Sequence, residues 1–278
     1  MDLIQSIDAL RQRLAAADRV VLVPTMGNLH AGHLDLVRLA REHGTTVITS
    51  IFVNPLQFGP QEDFQAYPRT LEADCAQLQA AGCDVVFAPS VAEMYLVPQQ
   101  MEIVQPPLAN DLCGAFRPGH FQGVATVVAK LFNIVQPSVA VFGKKDYQQL
   151  LVIRALVQQL NYPLRIVAGE TLRAADGLAL SSRNEYLSEI ERQQAPRLYG
   201  TLHSVVTQLQ QGHRDYSALE QGARNALEAL GWRVDYVAIR DASTLQAPVA
   251  ATQDLVVLGA AWLGKTRLID NIEVSAAP

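Results

Sequence analysis

Cysteine is scarce in this sequence, with only Cys75, Cys83 and Cys113 among 278 residues. With an odd count and no paired ligand spacing, neither a disulfide framework nor a zinc site follows, and a thiol-reducing compartment fits best. A basic excess is also lacking. Lys and Arg number 22 against 27 Asp and Glu, for a formal charge of -5, which argues against non-specific binding to nucleic acid or to an anionic membrane and favours small ligands. No uninterrupted apolar run is long enough to cross a bilayer. The amphipathic pattern after Met1 (Leu3, Ile7, Leu10, Leu14) carries acidic residues and no cleavage site. The expectation is a cytoplasmic protein with neither signal peptide nor membrane span. Repeats and low-complexity tracts are absent. What is present is a 49% hydrophobic content, enough apolar material to bury the core of one large or two modest domains.

The stretch Pro24-Thr25-Met26-Gly27-Asn28-Leu29-His30-Ala31-Gly32-His33 stands out. It follows a β-branched apolar run, Asp18 to Pro24, that reads as a buried parallel strand, and it precedes helical spacing from Leu34 to Arg41. A strand, turn and helix in this order place the turn at the carboxyl edge of a sheet. There the helix start offers free N–H groups and partial positive charge, which suits phosphate. Gly27 and Gly32 let the backbone approach a ligand, and His30 and His33, three apart, fall on one side of the first turn.

Further along, Thr45 to Val53 is a second strand ending in Asn54-Pro55-Leu56-Gln57-Phe58-Gly59; Leu71 to Ala81 is a helix closed by Gly82; Cys83 to Ala88 is a third strand. Pro89 to Pro118, with five prolines, is an irregular excursion. Phe121 to Val135 is an apolar helix, Ser138 to Phe142 a strand that exits into Gly143-Lys144-Lys145-Asp146, Asp146 to Gln159 a helix, and Tyr162 to Val167 the last parallel strand. Alternation of this kind predicts a doubly wound, Rossmann-like α/β parallel sheet whose ligands lie off the carboxyl ends of its strands. Beyond residue 170 the pattern changes. A strand and turn (Thr171 to Gly177), a polar loop (Leu180 to Asn184), helices over Ser188 to Gln211 and Tyr216 to Leu230, and strand-like runs at Trp232 to Arg240, Asp254 to Trp262 and Arg267 to Val274 predict a smaller α+β domain with an antiparallel sheet. The division is 1–170 and 171–278.

The segments PTMGNLHAGH, SIFVNPLQFGPQEDFQAYPRT, RPGHFQGVATVVAKLFNIVQP, VFGKKDYQQL and ADGLALSSRNEYL together resemble the pantothenate synthetase (pantoate–β-alanine ligase) family, in order over residues 1 to 190 and more weakly to the end. His-x-Gly-His by itself is shared with class I aminoacyl-tRNA synthetases and small nucleotidyltransferases. The resemblance implies a two-step reaction: pantoate attacks the α-phosphorus of ATP to give pantoyl adenylate and pyrophosphate, then β-alanine displaces AMP to give pantothenate. It implies ATP contacts from Met26, Gly27, Asn28, Leu29, His30, Ala31, Gly32 and His33, with His30, His33 and Lys145 catalytic and His33 the proton donor. It further implies ATP contacts from Gly143, Lys144, Lys145, Asp146, Leu172, Leu180, Ser181, Ser182 and Arg183, with Leu172 at adenine and Leu180 to Arg183 closing over the triphosphate. Gln57 and Gln149 would hold pantoate, and Gln57 would also lie near β-alanine. As neutral amides they can hold a hydroxy acid without neutralising its nucleophilic carboxylate. Gly59 to Thr70 is expected to act as a lid over the reactive intermediate.

Mg²⁺ is implied as well, yet this chain has Glu72, Ala73 and Asp74 where relatives often carry consecutive acidic residues, which leaves Asp74 as the candidate protein ligand and phosphates and water as the main ones. Lys144 stands where glutamate is frequent and is expected to have a small effect on ATP affinity. A homodimer through the first domain is implied by the resemblance alone. The alternatives are another nucleotidyltransferase with the same His-x-Gly-His signature, a tRNA synthetase, which the lack of a basic nucleic-acid face disfavours, and a nucleotide-binding sensor, which would have no use for His30, His33 and Lys145 together.

Overall fold

The computed structural model describes residues 1–275 apart from Gln61, Asp63 and Ala250. Its first half carries β1 (Asp2–Ile4), α1 (Ile7–Leu14), β2 (Val20–Thr25), α2 (Ala31–Arg41), β3 (Thr46–Ile51), α3 (Leu71–Ala80), β4 (Val85–Phe87), α4 (Val91–Met94), α5 (Cys113–Phe116), α6 (His120–Val135), β5 (Val139–Gly143), α7 (Tyr147–Gln159) and β6 (Arg165–Gly169). The strands form one sheet in the order β1-β4-β3-β2-β5-β6, and every neighbouring pair is parallel. Successive residues of a strand face opposite sides, so β2 sends Val20 and Leu22 into the layer beneath α1 and α6 and Val21 and Val23 into the layer beneath α2 and α3. Both faces are covered. That is why the strands read as continuous apolar runs and not as alternating ones.

Two local expectations are corrected. The amphipathic pattern after Met1 does not begin a helix at Leu3, because Asp2–Ile4 pairs with β4 as an edge strand; the helix starts only after Ser6, whose side chain accepts from the Ala9 N–H. The helix expected over Ser188 to Gln211 is two, α8 (Glu189–Gln194) and α9 (Arg197–Gln210), with Pro196 at the junction. Proline lacks the N–H a continuous helix would need there.

After α9 come α10 (Tyr216–Ala229) and an antiparallel sheet of β7 (Arg233–Asp241), β8 (Asp254–Leu263) and β9 (Thr266–Ser275), in that order. One face of this sheet packs on α9 and α10 through Leu255, Val257 and Ala261. The other face packs Val256 and Leu258 against Tyr147 and Leu151 of α7. The smaller unit is therefore seated on the carboxyl-edge side of the first through its own apolar surface. The proposed division after residue 170 falls in the connection following β6.

Candidate active site

The strand order reverses between β2 and β5, which leave a crevice at their carboxyl ends, the usual ligand position in an open α/β sheet. β2 and β5 pair only at Val21 and Leu22. Pro24, with no N–H to extend that ladder, lies beyond the last pair, where the strands part. The loop Met26 to His30 leaves one side of this crevice and the turn Lys144–Asp146 leaves the other.

His30 caps α2. Its Nδ1 accepts the Gly32 N–H at 3.2 Å, while the Nδ1 of His33 accepts the N–H of His30 at 3.3 Å. These reciprocal bonds satisfy two amides that a helix start leaves open. They also assign the tautomer: with Nδ1 accepting, each neutral ring carries its proton on Nε2. The rings lie with centroids 4.0 Å apart. Burial, helped by the charge of Lys145, holds His30 down to about 4, and burial together with His30 holds His33 down to about 3. Both are uncharged N–H donors at neutral pH. A Cβ at Gly32 would come within 3.0 Å of the His30 ring, so that position keeps the imidazole free to lie against the turn.

The loop before the helix is braced from beneath. Asp74, 1% exposed, accepts the N–H groups of Asn28 at 3.0 Å and Leu29 at 2.8 Å and the hydroxyl of Thr70 at 3.1 Å. Gly27 and Asn28 both have positive φ, 84° and 50°, the conformation that glycine and asparagine tolerate best. The expectation that Asp74 binds Mg²⁺ therefore meets a carboxylate whose two oxygens already hold the loop. Among the described residues no three His, Cys, Asp or Glu side chains are grouped to hold a metal ion.

Asn28 also joins the two halves of the chain. Its Nδ2 donates to Glu185 at 3.0 Å and its carbonyl accepts from Ser182 Oγ at 2.9 Å. The turn Ser182–Tyr186, capped by Ser181, whose Oγ accepts the Arg183 N–H at 3.2 Å, is thus docked on the His-x-Gly-His loop. Leu172 reaches the same place, since a Cβ on Gly32 would lie 3.8 Å from its own. The Leu172 carbonyl accepts the Leu180 N–H at 2.9 Å.

On the opposite side, Lys145 is half-buried and Asp146 is open to the cleft. Crowding by protein raises the Asp146 pKa, but Lys145 and Arg183 outweigh it, so the carboxyl titrates below its ordinary range. Lys144 behaves differently from Lys145. Its Nζ lies 2.6 Å from Glu170 and 2.6 Å from Glu273, so its charge is matched by carboxylates and not directed at a ligand.

Gln57 sits after β3 with its amide orientation set by neighbours. Asn54, 1% exposed, donates to Gln57 Oε1 at 3.1 Å and to the Gly123 carbonyl at 3.0 Å, leaving the Gln57 NH₂ directed at Met26 Sδ at 3.1 Å. Behind it, α6 approaches so closely that a Cβ on Gly123 would fall 2.2 Å from the Leu56 carbonyl oxygen. Glu62, Arg117 and His120 were not singled out by sequence reasoning. Arg117 pairs with Glu62 at 2.7 and 2.6 Å and donates to His120 Nε2 at 2.9 Å, which leaves His120 Nδ1–H to donate to the Gln57 carbonyl at 2.9 Å. Burial and the Arg117 charge hold His120 down to about 4. The signal was the RPGH segment, which reads as a turn until α6 places it beside Gln57. The expected lid, Gly59 to Thr70, includes residues 61 and 63, which lie outside the described residues; its Phe64 and Tyr67 each stack edge to face on Phe58, the residue just before it.

A cleft of about 540 Å³ separates the two halves. Lys145, Asp146, Gln149, Ser181 and Arg183 line it, as do His120 and Arg117. His30, His33 and Gln57 are not among its walls; the bonds from Ser182 and Glu185 to Asn28 place the histidine loop beside this cleft.

A sequence profile described as Pantoate-beta-alanine ligase matches residues 2–273. The chain belongs to the pantoate–β-alanine ligase family. It is 60% identical over 278 residues to the pantothenate synthetase of Thiobacillus denitrificans, covering 100% of this chain and 98% of that one, and 59% identical over 275 residues to that of Chromobacterium violaceum, covering 99% of each. Among solved structures, pantothenate synthetase from Thermus thermophilus superposes with a TM-score of 0.93 at 47% identity, covering 99% of this chain and 100% of that one. The Francisella tularensis ligase, complexed with β,γ ATP and β-alanine, gives 0.83 at 33% identity over 98% and 97% of the two chains. The doubly wound sheet with its antiparallel second unit is thus the architecture of the pantoate–β-alanine ligase family.

Proposed function

We propose that this chain condenses pantoate with β-alanine at the β2–β5 crevice, with ATP as the activating substrate. A pantoate carboxylate oxygen attacks the α-phosphorus and the bond to the β-phosphate breaks, releasing pyrophosphate. The β-alanine nitrogen then attacks the acyl carbon, the carbon–oxygen bond to phosphate breaks, AMP leaves and the amine gives up a proton. The observation that carries this reading is the pair of uncharged Nε2–H donors at His30 and His33, fixed by their own helix start and close enough to Lys145 to feel its charge. Donors held in place before reaction stabilise charge that builds on phosphate without reorganising. Lys145 supplies the positive charge, Arg183 a second one from the docked turn, and Gln57 and Gln149 grip pantoate while leaving its carboxylate nucleophilic.

In this reading Asp74 braces the Asn28–Leu29 amides and does not ligate metal. Among the described residues no donor set forms a Mg²⁺ cage, and any Mg²⁺ would arrive on the phosphates. A homodimer is also proposed. Leu96, Val97, Met101 and Val104 are 83%, 72%, 80% and 92% exposed within one short segment of the excursion, close in sequence to Val91 at 45%. An apolar patch of that kind is usual at an interface, and a second copy is the occupant the family resemblance supplies. The test of the reaction is AMP formation from ATP and pantoate with and without β-alanine. AMP that requires both substrates is expected, and no AMP with either would overturn the reading.

A further inference from the structure

The last strand of the chain, β9, reaches across the domain junction onto the turn that carries Lys145. Asn271, 6% exposed, donates through Nδ2 to the carbonyl oxygens of Lys144 and Lys145, each at 2.9 Å. The short 3-10 turn Lys144–Asp146 runs directly into α7, whose N-cap is Asp146, so both carbonyls lie ahead of the α-helical ladder. One side-chain amide thus bonds two successive, partly buried carbonyls of the turn.

Asn271 is itself held. Its backbone N–H donates to Asp270 Oδ1 at 2.8 Å, and Asp270, 4% exposed, receives both arms of Arg173 at 2.6 and 2.9 Å. Arg173 also donates to the Asn271 carbonyl at 3.3 Å and stacks over the Tyr199 ring at 4.0 Å. Two residues on, Glu273 accepts from Lys144 Nζ at 2.6 Å and from the Tyr147 hydroxyl at 2.8 Å. Residues 271 and 273 share one side of the strand, so β9 grips the turn at both ends. The grip is on the backbone at Lys144 and Lys145 and on the side chains of Lys144 and Tyr147. The Lys145 ammonium is left out of it.

We infer that Asn271 is a positioning residue for adenylation: by fixing the two carbonyls of the Lys144–Lys145 turn it sets where the Lys145 side chain enters the cleft, so the C-terminal strand helps to build the phosphate site. This deepens the proposed function and rests on its assignment of Lys145 to phosphate. A merely structural asparagine would lower stability and both half-reactions alike. A positioning asparagine acts through Lys145 and on the first half-reaction alone, since the triphosphate charge leaves with pyrophosphate.

The experiment is a single-turnover double-mutant cycle on the full chain with Asn271→Asp and Lys145→Ala. Asn271→Asp has nearly the same shape but replaces the donating NH₂ with an acceptor, and Asn271→Ser, which keeps a single donor, serves if the aspartate variant does not fold. Pantoate-dependent pyrophosphate release should slow by about 10- to 100-fold in the Asn271 variant, the consequence of losing both bonds that fix the turn. From preformed pantoyl adenylate, pantothenate should form at close to the parent rate. In the Lys145→Ala background the same change should slow pyrophosphate release less than about twofold further, because residues acting through one group are not additive. An additive loss, an equal loss in both half-reactions, or an Asn271 variant that adenylates at the parent rate overturns the inference while leaving the role of Lys145 intact. A Lys145→Ala variant at the parent rate overturns both.

Discussion

At the scale of single residues, the proposed reaction rests on imidazoles that stay neutral. Both Nδ1 atoms of the His30–His33 pair accept backbone N–H groups, so each Nε2–H is available to phosphate. His33→Ala should therefore slow adenylation by about 100-fold, the scale of one donor aimed at a transition state, with a smaller change in ATP affinity. Stopped-flow adenylation and equilibrium ATP binding measured on the same variant would separate the two, and equal losses would reduce His33 to a binding group. His30, His33 and His120 are held down to about 4, about 3 and about 4 from the ordinary 6.5. Each takes up a proton less readily folded than unfolded, so between about pH 6.5 and about pH 4 the unfolded chain binds more protons and stability falls as pH falls. Melting temperature should drop across that window. His120→Asn, which has no such proton to take up, should give a shallower acid slope.

Among elements, the tight points are where one backbone supports another. Asp74 of α3 holds the Asn28 and Leu29 amides, and Asp74→Asn puts an NH₂ against donors that need an acceptor, at a cost of about 1–3 kcal/mol for each buried group left unpaired. The variant should melt lower and adenylate more slowly. Its half-saturating Mg²⁺ concentration should stay at the parent value; a large rise would restore the metal-ligand role. Gly123 of α6 lies so near the Leu56–Gln57 backbone that Gly123→Ala must displace the turn carrying Gln57. The expected result is a raised KM for pantoate with little change in KM for ATP. The turn Ser182–Tyr186 docks on Asn28, and Arg183 lines the cleft. Arg183→Ala should slow pyrophosphate release about 10- to 1,000-fold, the loss of one to a few charge-assisted contacts, while conversion of preformed adenylate proceeds near the parent rate. A matching loss in both steps at unchanged melting temperature would remove the closing-turn role.

For the molecule as a whole, the second sheet is a two-faced layer, with α9 and α10 on one side and α7 on the other. That seating brings β9 to the Lys145 turn and the Ser182 turn to Asn28, so the site is built from both ends of the chain. On the outside, the segment from Leu96 to Val104 is the most exposed apolar stretch among the described residues. Charge placed there, as in Met101→Glu with Val104→Glu, should convert a dimer to monomers in sedimentation without lowering the melting temperature of the protomer by more than a few degrees. A parent chain that sediments as a monomer at micromolar concentration would remove the dimer.

Sequence by itself determined the parallel sheet and the loops at its carboxyl edge, because covered strands must be continuously apolar and the turn after each must carry its own glycines, caps and charges. That His30, His33, Lys145, Ser181 and Arg183 fall at a helix start or in turns was legible for that reason: each lies in a strand-turn-helix or in a short polar loop. What only tertiary structure decided was pairing at a distance. Leu3 belongs to a strand because β4 offers it an edge, an option invisible in helical spacing. Asp74 faces loop amides 45 and 46 residues away, Lys144 faces Glu170 and Glu273, and Arg117 and His120 stand behind Gln57. A carboxylate, an ammonium or an imidazole has the same character in any sequence. Whether it meets a ligand or a neighbour depends on which buried donors and acceptors the fold brings within about 3 Å of it.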